Sequence, residues 1–181
     1  MSRIPTPTID TAPAATRPQL EAVARQLGTV PNLFRIVANS PAALDAYLGF
    51  SGGLSKGALS GQTRERIALA VAEANGCDYC LSAHSYLAKN LAKLSDIEIA
   101  ANRHGRSEDA KADAIVGFAL KLLSTRGHVA EGDVATVRAA GASDAEIVEI
   151  IGHVALNVFT NTVNSALSTE IDFPVAQPLA A

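Results

Sequence analysis

The chain has 181 residues, 48% apolar, 18% charged and 4% aromatic, enough for one domain whose core needs no disulfide or metal staple. The net charge is -3, the pI about 5.8, and the 15 Lys and Arg are scattered, which argues against a nucleic-acid-binding surface. No secretory-type apolar run opens the chain, and the most apolar stretch, residues 146–167, is interrupted by His153, Asn157, Asn161 and Asn164, so no transmembrane helix and a cytoplasmic location are expected.

Residues 1–18 carry Pro5, Pro7, Pro13 and Pro18 and read as an extended N-terminal arm, either mobile or wrapped on a neighbouring subunit. Residues 19–181 read as a single helical domain. Thr16 and Pro18 open a first helix that Gly28 closes. Pro31 and Pro41 each open another. Gly52, Gly53 and Gly57 are expected to break the chain before Ser60. Ser60 caps a long apolar helix through Asn75, with Gly76 as its C-terminal break. A helix from about Cys77 to Leu94 follows, and Ser95, Ser107 and Ser143 stand where further N-caps belong. No alternating apolar run suggests a strand, so the fold class is all-α. The helices opened by Ser60 and Ser143 are alike in length and apolarity, as two core helices or an old duplication would be.

The chain has only two cysteines, Cys77 and Cys80, spaced as CxxC. A disulfide between them closes too small a loop to be a useful staple, so the pair reads as redox chemistry or half a metal site. On a helix Cys77, Cys80 and His84 share one stripe, continued by Leu87, Ala88 and Leu91, while Asp78 and Tyr79 point elsewhere. Free backbone N–H groups at a helix start stabilise a thiolate. His84, one turn beyond Cys80, can take its proton or hydrogen-bond its thiolate. Two carboxylates lie upstream. Glu65 is either a surface charge beside Arg64 or Arg66, or the head of a proton relay. Glu73, set among alanines and a valine, is a poor candidate for a solvated face and a second relay candidate.

The pattern ExxxCxxCxxxH formed by Glu73, Cys77, Cys80 and His84 resembles the signature of AhpD-like alkylhydroperoxidases in the carboxymuconolactone decarboxylase superfamily. Glu65 stands where that family has its relay glutamate, twelve residues before the first cysteine. The segments Pro31-Asn-Leu-Phe-Arg, Ser40-Pro-Ala-Ala-Leu and Glu170-Ile-Asp-Phe-Pro174 are similar to flanking segments of its peroxidase-related members. The resemblance implies an AhpD-like helical bundle, homotrimeric or homohexameric, that reduces alkyl hydroperoxides. It implies Cys80 as peroxidatic thiolate, Cys77 as resolving thiol and a Cys77–Cys80 disulfide between turnovers. It further implies that His84 polarises Cys80, that Glu65 starts the relay, and that Glu73 supports the site. The reductant would be an external dithiol, a lipoyl group or thioredoxin-like protein, and no cofactor or metal is called for. Tyr79 departs from the best-studied peroxidases of the family, which carry histidine there, although tyrosine is usual in the peroxidase-related members. A phenol of pKa about 10 is a poor base at neutral pH.

Three other functions stand beside this one: a cofactor-free decarboxylase or lactone chemistry, a redox-sensing protein with little turnover, and a zinc module. The last would take Cys77, Cys80, His84 and either His153 or Glu73, but one straight helix closes a tetrahedron poorly. Among the remaining residues, His104 reads as a helix C-terminal histidine, His128 as a loop histidine, and Phe118 and Phe159 as core. His153, Asn157, Asn161 and Asn164 form a polar stripe on an apolar helix. It is either a hydrogen-bonded seam or a wall of the substrate pocket.

Overall fold

Short polar side chains start most of the helices. The computed structural model describes residues 1–179, and among them there are helices and no strands. The helices are α1 (Arg17–Leu27), α2 (Asn32–Val37), α3 (Pro41–Leu54), α4 (Gly61–Ala74), α5 (Asp78–Asn90), α6 (Asp96–Arg103), α7 (Ala110–Thr125), α8 (Glu131–Ala139) and α9 (Asp144–Leu167). Ser40, Ser60, Ser95 and Ser143 each accept a backbone N–H of the first turn, filling donors that a helix start leaves unpaired. Ser143 and Glu146 complete a reciprocal capping box. Ser107 is not the cap expected of it. Asp109 caps α7 through the Ala112 N–H at 2.8 Å, and the Ser107 hydroxyl donates to Glu98 at 2.6 Å. A carboxylate in that place outcompetes the serine for the helix start.

Gly52 and Gly53 do not break the chain, and α3 continues through both to Leu54. A glycine costs a helix only about 1 kcal/mol, which the packing of α3 against α9 outweighs. That packing is close: a Cβ on Gly152 of α9 would lie 3.0 Å from Leu54.

Helix α4 is central. Ile67 to Ala72 are buried without interruption, and the helix packs on α5, α6, α7 and α9. Its Leu69 and Ala72 belong to one apolar cluster with α1, α2, α3 and α5, which contains both cysteines. Its Ile67 and Val71 belong to a second cluster with α7, α8 and α9. An element buried all round must be apolar all round, as this sequence is between its charged first turns and Glu73.

Both chain ends are tied to the bundle. Arg3 N–H donates to Leu167 O at 2.8 Å, Arg35 donates to Pro7 O and Thr6 O, and Ala12 is fully buried. The proline-rich arm therefore lies along its own chain. At the other end Asp172 accepts from Asn32 N–H at 2.8 Å, and Phe173 packs edge-on against Tyr79. Among the described residues no helix is long and apolar enough to cross a membrane.

Glu98 anchors α6 to α4 and to the loop before α7. It is 5% exposed and accepts from Arg66 Nε at 2.7 Å, Asn102, Ser107 and the Glu108 N–H. Burial opposes its charge, but those donors hold its pKa down at about 2. Its contribution to stability is present above the ordinary carboxylate range and is lost as the pH falls from there towards 2. Glu98→Gln is expected to destabilise the fold by roughly 1–3 kcal/mol at neutral pH and to flatten the acid limb, read by denaturant unfolding across pH.

Candidate active site

The site is built at the α4–α5 junction. After α4 the backbone turns through Gly76 at φ 62°, a left-handed conformation that favours glycine. The turn brings Cys77 to the cap position of α5 rather than inside it. There the Cys77 Sγ accepts the Cys80 N–H at 3.3 Å, so a sulfur fills the place of a capping oxygen. Both thiols are free and buried, 2% and 3% exposed.

The two sulfurs share a proton. The Cys80 thiol donates to Cys77, and this is the largest effect on both. It pulls the Cys77 pKa down to about 7, assisted by the Cys80 N–H, Ser165 and the charge of His84 against the opposing effect of burial. The same bond, with burial, pushes Cys80 far up. Of the two thiols, Cys77 is therefore the one that ionises first.

Glu65 and His84 meet across the two helices, Oε2 to Nδ1 2.9 Å, with side chains 21% and 22% exposed. The flanking arginines are turned away: Arg64 donates to Ser55 O and Leu59 O, and Arg66 to Glu98. Helix neighbours one residue apart do not share a face, so neither arginine can neutralise Glu65. Burial disfavours a charged His84, but the adjacent Glu65 carboxylate, its hydrogen bond and the Cys77 charge outweigh it, and the His84 pKa is raised. The charge of His84 in turn favours the Cys77 thiolate.

Glu73 departs from the relay role. Its carboxylate is held by Arg103 Nε at 2.7 Å, and Arg103 also donates to Gln177 O. It ties α6 and the C-terminal tail to α4, and among the described residues it bonds neither thiol nor His84. Tyr79 points away from the thiol stripe, as read, but inward to α2. It is buried, and its hydroxyl accepts the Leu33 N–H at 3.1 Å. Burial pushes its pKa up, so it is no base. Leu91, expected to continue the buried stripe, is 68% exposed because α5 ends at Asn90.

The C-terminal part of the α9 polar stripe meets the thiols. His153, Asn157, Asn161 and Asn164 are all buried. Asn164 Nδ2 donates to Cys80 Sγ at 3.2 Å, and Asn161 Oδ1 accepts from Asn75 at 2.8 Å. Asn157 Nδ2 donates to His153 O. Burial and the Arg64 charge depress the His153 pKa to about 4, so it is neutral. The sequence marked this stripe but not its partner; Asn75 and Ser165, also at the site, carried no signal beyond adjacency to marked residues. A groove of about 360 Å³ lined by Asn75, Val158, Asn161, Thr162, Ser165 and Ala166 runs beside the pair. A larger one of about 410 Å³ lies over Arg66 and Glu98, away from the thiols. His104 ends α6 and His128 is exposed, as read, whereas Phe159 is 38% exposed and leans on Tyr47 rather than filling a core. Among the described residues no group of three or more His, Cys, Asp or Glu is arranged to hold a metal ion.

The residue pattern of the Carboxymuconolactone decarboxylase family matches residues 41–125, which contain α3 to α7 and both cysteines. The fold is similar to that of an uncharacterised peroxidase-related protein from Ralstonia eutropha, described as an alkylhydroperoxidase AhpD core. It is 25% identical with a TM-score of 0.85, over 94% of this chain and 92% of that one. A peroxidase-related protein from Silicibacter sp. is 27% identical with a TM-score of 0.82, over 93% and 91%. The debrominase Bmp8, solved with 2,3,4-tribromopyrrole, shares the fold at 21% identity and a TM-score of 0.72, over 88% and 86%. No curated protein matches the chain. The family match and the fold together support an AhpD-like member of the carboxymuconolactone decarboxylase superfamily.

Glu65→Gln removes the carboxylate but leaves His84 buried. The His84 titration, followed by NMR, is expected to fall from above to below the free-imidazole value of about 6.5. The alkylation midpoint of Cys77 should rise from about 7 in the same variant. Tyr79→Phe strands the Leu33 N–H and is expected to lower stability by roughly 1–3 kcal/mol in denaturant unfolding, with that alkylation midpoint unmoved.

Proposed function

We propose that the chain is a thiol peroxidase that reduces hydroperoxides with Cys77 and Cys80. The observation that carries this reading is the shared-proton pair capping α5, with the His84–Glu65 pair beside it. The Cys80 proton passes to Cys77, and the Cys80 thiolate attacks the peroxide. The O–O bond breaks, Cys80 becomes a sulfenic acid, and the alkoxide leaves as alcohol with a proton from the His84 imidazolium. His84 then takes the proton resting on Cys77. The Cys77 thiolate displaces hydroxide from the Cys80 sulfur, which leaves as water with that proton, and the disulfide forms. An external dithiol, a lipoyl group or thioredoxin-like protein, returns two electrons and two protons by exchange.

Glu65 keeps His84 charged for the first proton transfer. Tyr79 has no part, since its hydroxyl faces α2. Such chemistry suits a thiol-reducing compartment such as the cytoplasm. An assembly of three or six copies is part of the proposal; the exposed Val148, Ile151, Val158 and Phe159 on α9 support it.

The test is peroxide consumption by reduced protein supplied with dihydrolipoamide. Turnover is expected in the wild type, none in Cys80→Ser, and a stall after one equivalent in Cys77→Ser. Wild-type protein that forms the disulfide without turnover would be a disulfide-exchange or sensing protein instead. Full activity on a γ-lactone acid in the doubly substituted protein would make it a lyase.

A further inference from the structure

Of the two sulfurs, the one that caps the helix ionises first, so something must select Cys80 as the nucleophile. The stripe on α9 supplies a physical cause. Asn164 Nδ2 already donates to Cys80 Sγ at 3.2 Å. Asn161 is 2% exposed, with Oδ1 fixed by Asn75 Nδ2 at 2.8 Å, which turns its own Nδ2 the other way. That Nδ2 is buried and has no hydrogen-bond partner, and the same is true of Asn164 Oδ1. An unpaired buried amide atom costs as much as a lost hydrogen bond. Two unpaired amide atoms beside one sulfur are what a site leaves for a charge or ligand that arrives only during reaction.

We propose that Asn161 and Asn164 are positioning residues that receive the Cys80 thiolate and thereby make Cys80, not Cys77, the attacking sulfur. When the shared proton moves to Cys77, the charge on Cys80 is met by the bond from Asn164 Nδ2 and by a second from Asn161 Nδ2. Amide hydrogen bonding favours the Cys80 thiolate, against burial and the hydrogen bond and charge of Cys77, which disfavour it. Cys77 has its own, separate donors in the Cys80 N–H and Ser165. Asn164 Oδ1 stays free to accept the hydroxyl of an incoming hydroperoxide, a step that rests on the function proposed above.

The test isolates one thiol at a time in the full chain. In Cys77→Ser protein, alkylation of Cys80 by iodoacetamide is followed across pH, with and without Asn164→Leu or Asn161→Ala. Each substitution is expected to raise the Cys80 midpoint by about one pH unit and to slow its reaction at neutral pH roughly tenfold, as loss of one hydrogen bond to a charged sulfur does. In Cys80→Ser protein the same substitutions should change Cys77 alkylation by less than about twofold, since they remove no bond to it. Asn164→Ala, which cannot overfill the site, replaces the leucine variant if that one does not fold by circular dichroism. A Cys80 midpoint that stays, or equal shifts of both thiols, would overturn the proposal. Alkylation needs no peroxide. A Cys80-specific shift in a protein without peroxide turnover upholds the positioning role and sinks the peroxidase, and turnover without the shift does the reverse.

Discussion

The bond on which the site depends is the one from the Cys80 N–H to the Cys77 sulfur. A helix start leaves backbone donors that must be filled, and serine or aspartate oxygens fill them elsewhere in this molecule. At α5 the Cys77 sulfur does so, and its ionised form is favoured by the same unpaired donors and the helix dipole. The arrangement requires the left-handed turn at Gly76, which ends α4 and starts α5 two residues later. Turn, cap and acidic thiol are thus one local structure rather than three features.

Around that junction the fold distributes its charges so that two of them are left for chemistry. Arg66 is absorbed by Glu98, Arg103 by Glu73, and Arg64 by backbone carbonyls. Glu65 is left with His84, and both lie where partial burial strengthens their mutual field. Glu73 and Glu65 stand on the same helix, yet one braces the tail and the other faces the imidazole. The difference is made by what α6 and α5 present to each.

Helix α9 closes the site from the other side. Its asparagines would be costly on a helix packed so deeply unless they met partners there. Two of them do so at Asn75 and Cys80, and a groove is lined by Asn75, Asn161 and Ser165. The same helix shows Val148, Ile151, Val158 and Phe159 to the outside. One face of α9 serves the thiols while the other remains apolar and uncovered.

The sequence by itself determined the helical class, most helix starts and the thiol motif, because caps, glycine breaks and CxxC spacing act over four residues or fewer. It also marked Glu65, His84 and the α9 stripe, since a polar residue on an apolar helix is conspicuous wherever the helix goes. Tertiary structure alone decided their partners. Ser107 lost its capping role to a carboxylate two residues on, Tyr79 turned to an N–H of α2, and Glu73 found an arginine on α6. Which residues face one another across helices depends on how those helices cross, and that is fixed by packing of the whole core rather than by any spacing along the chain.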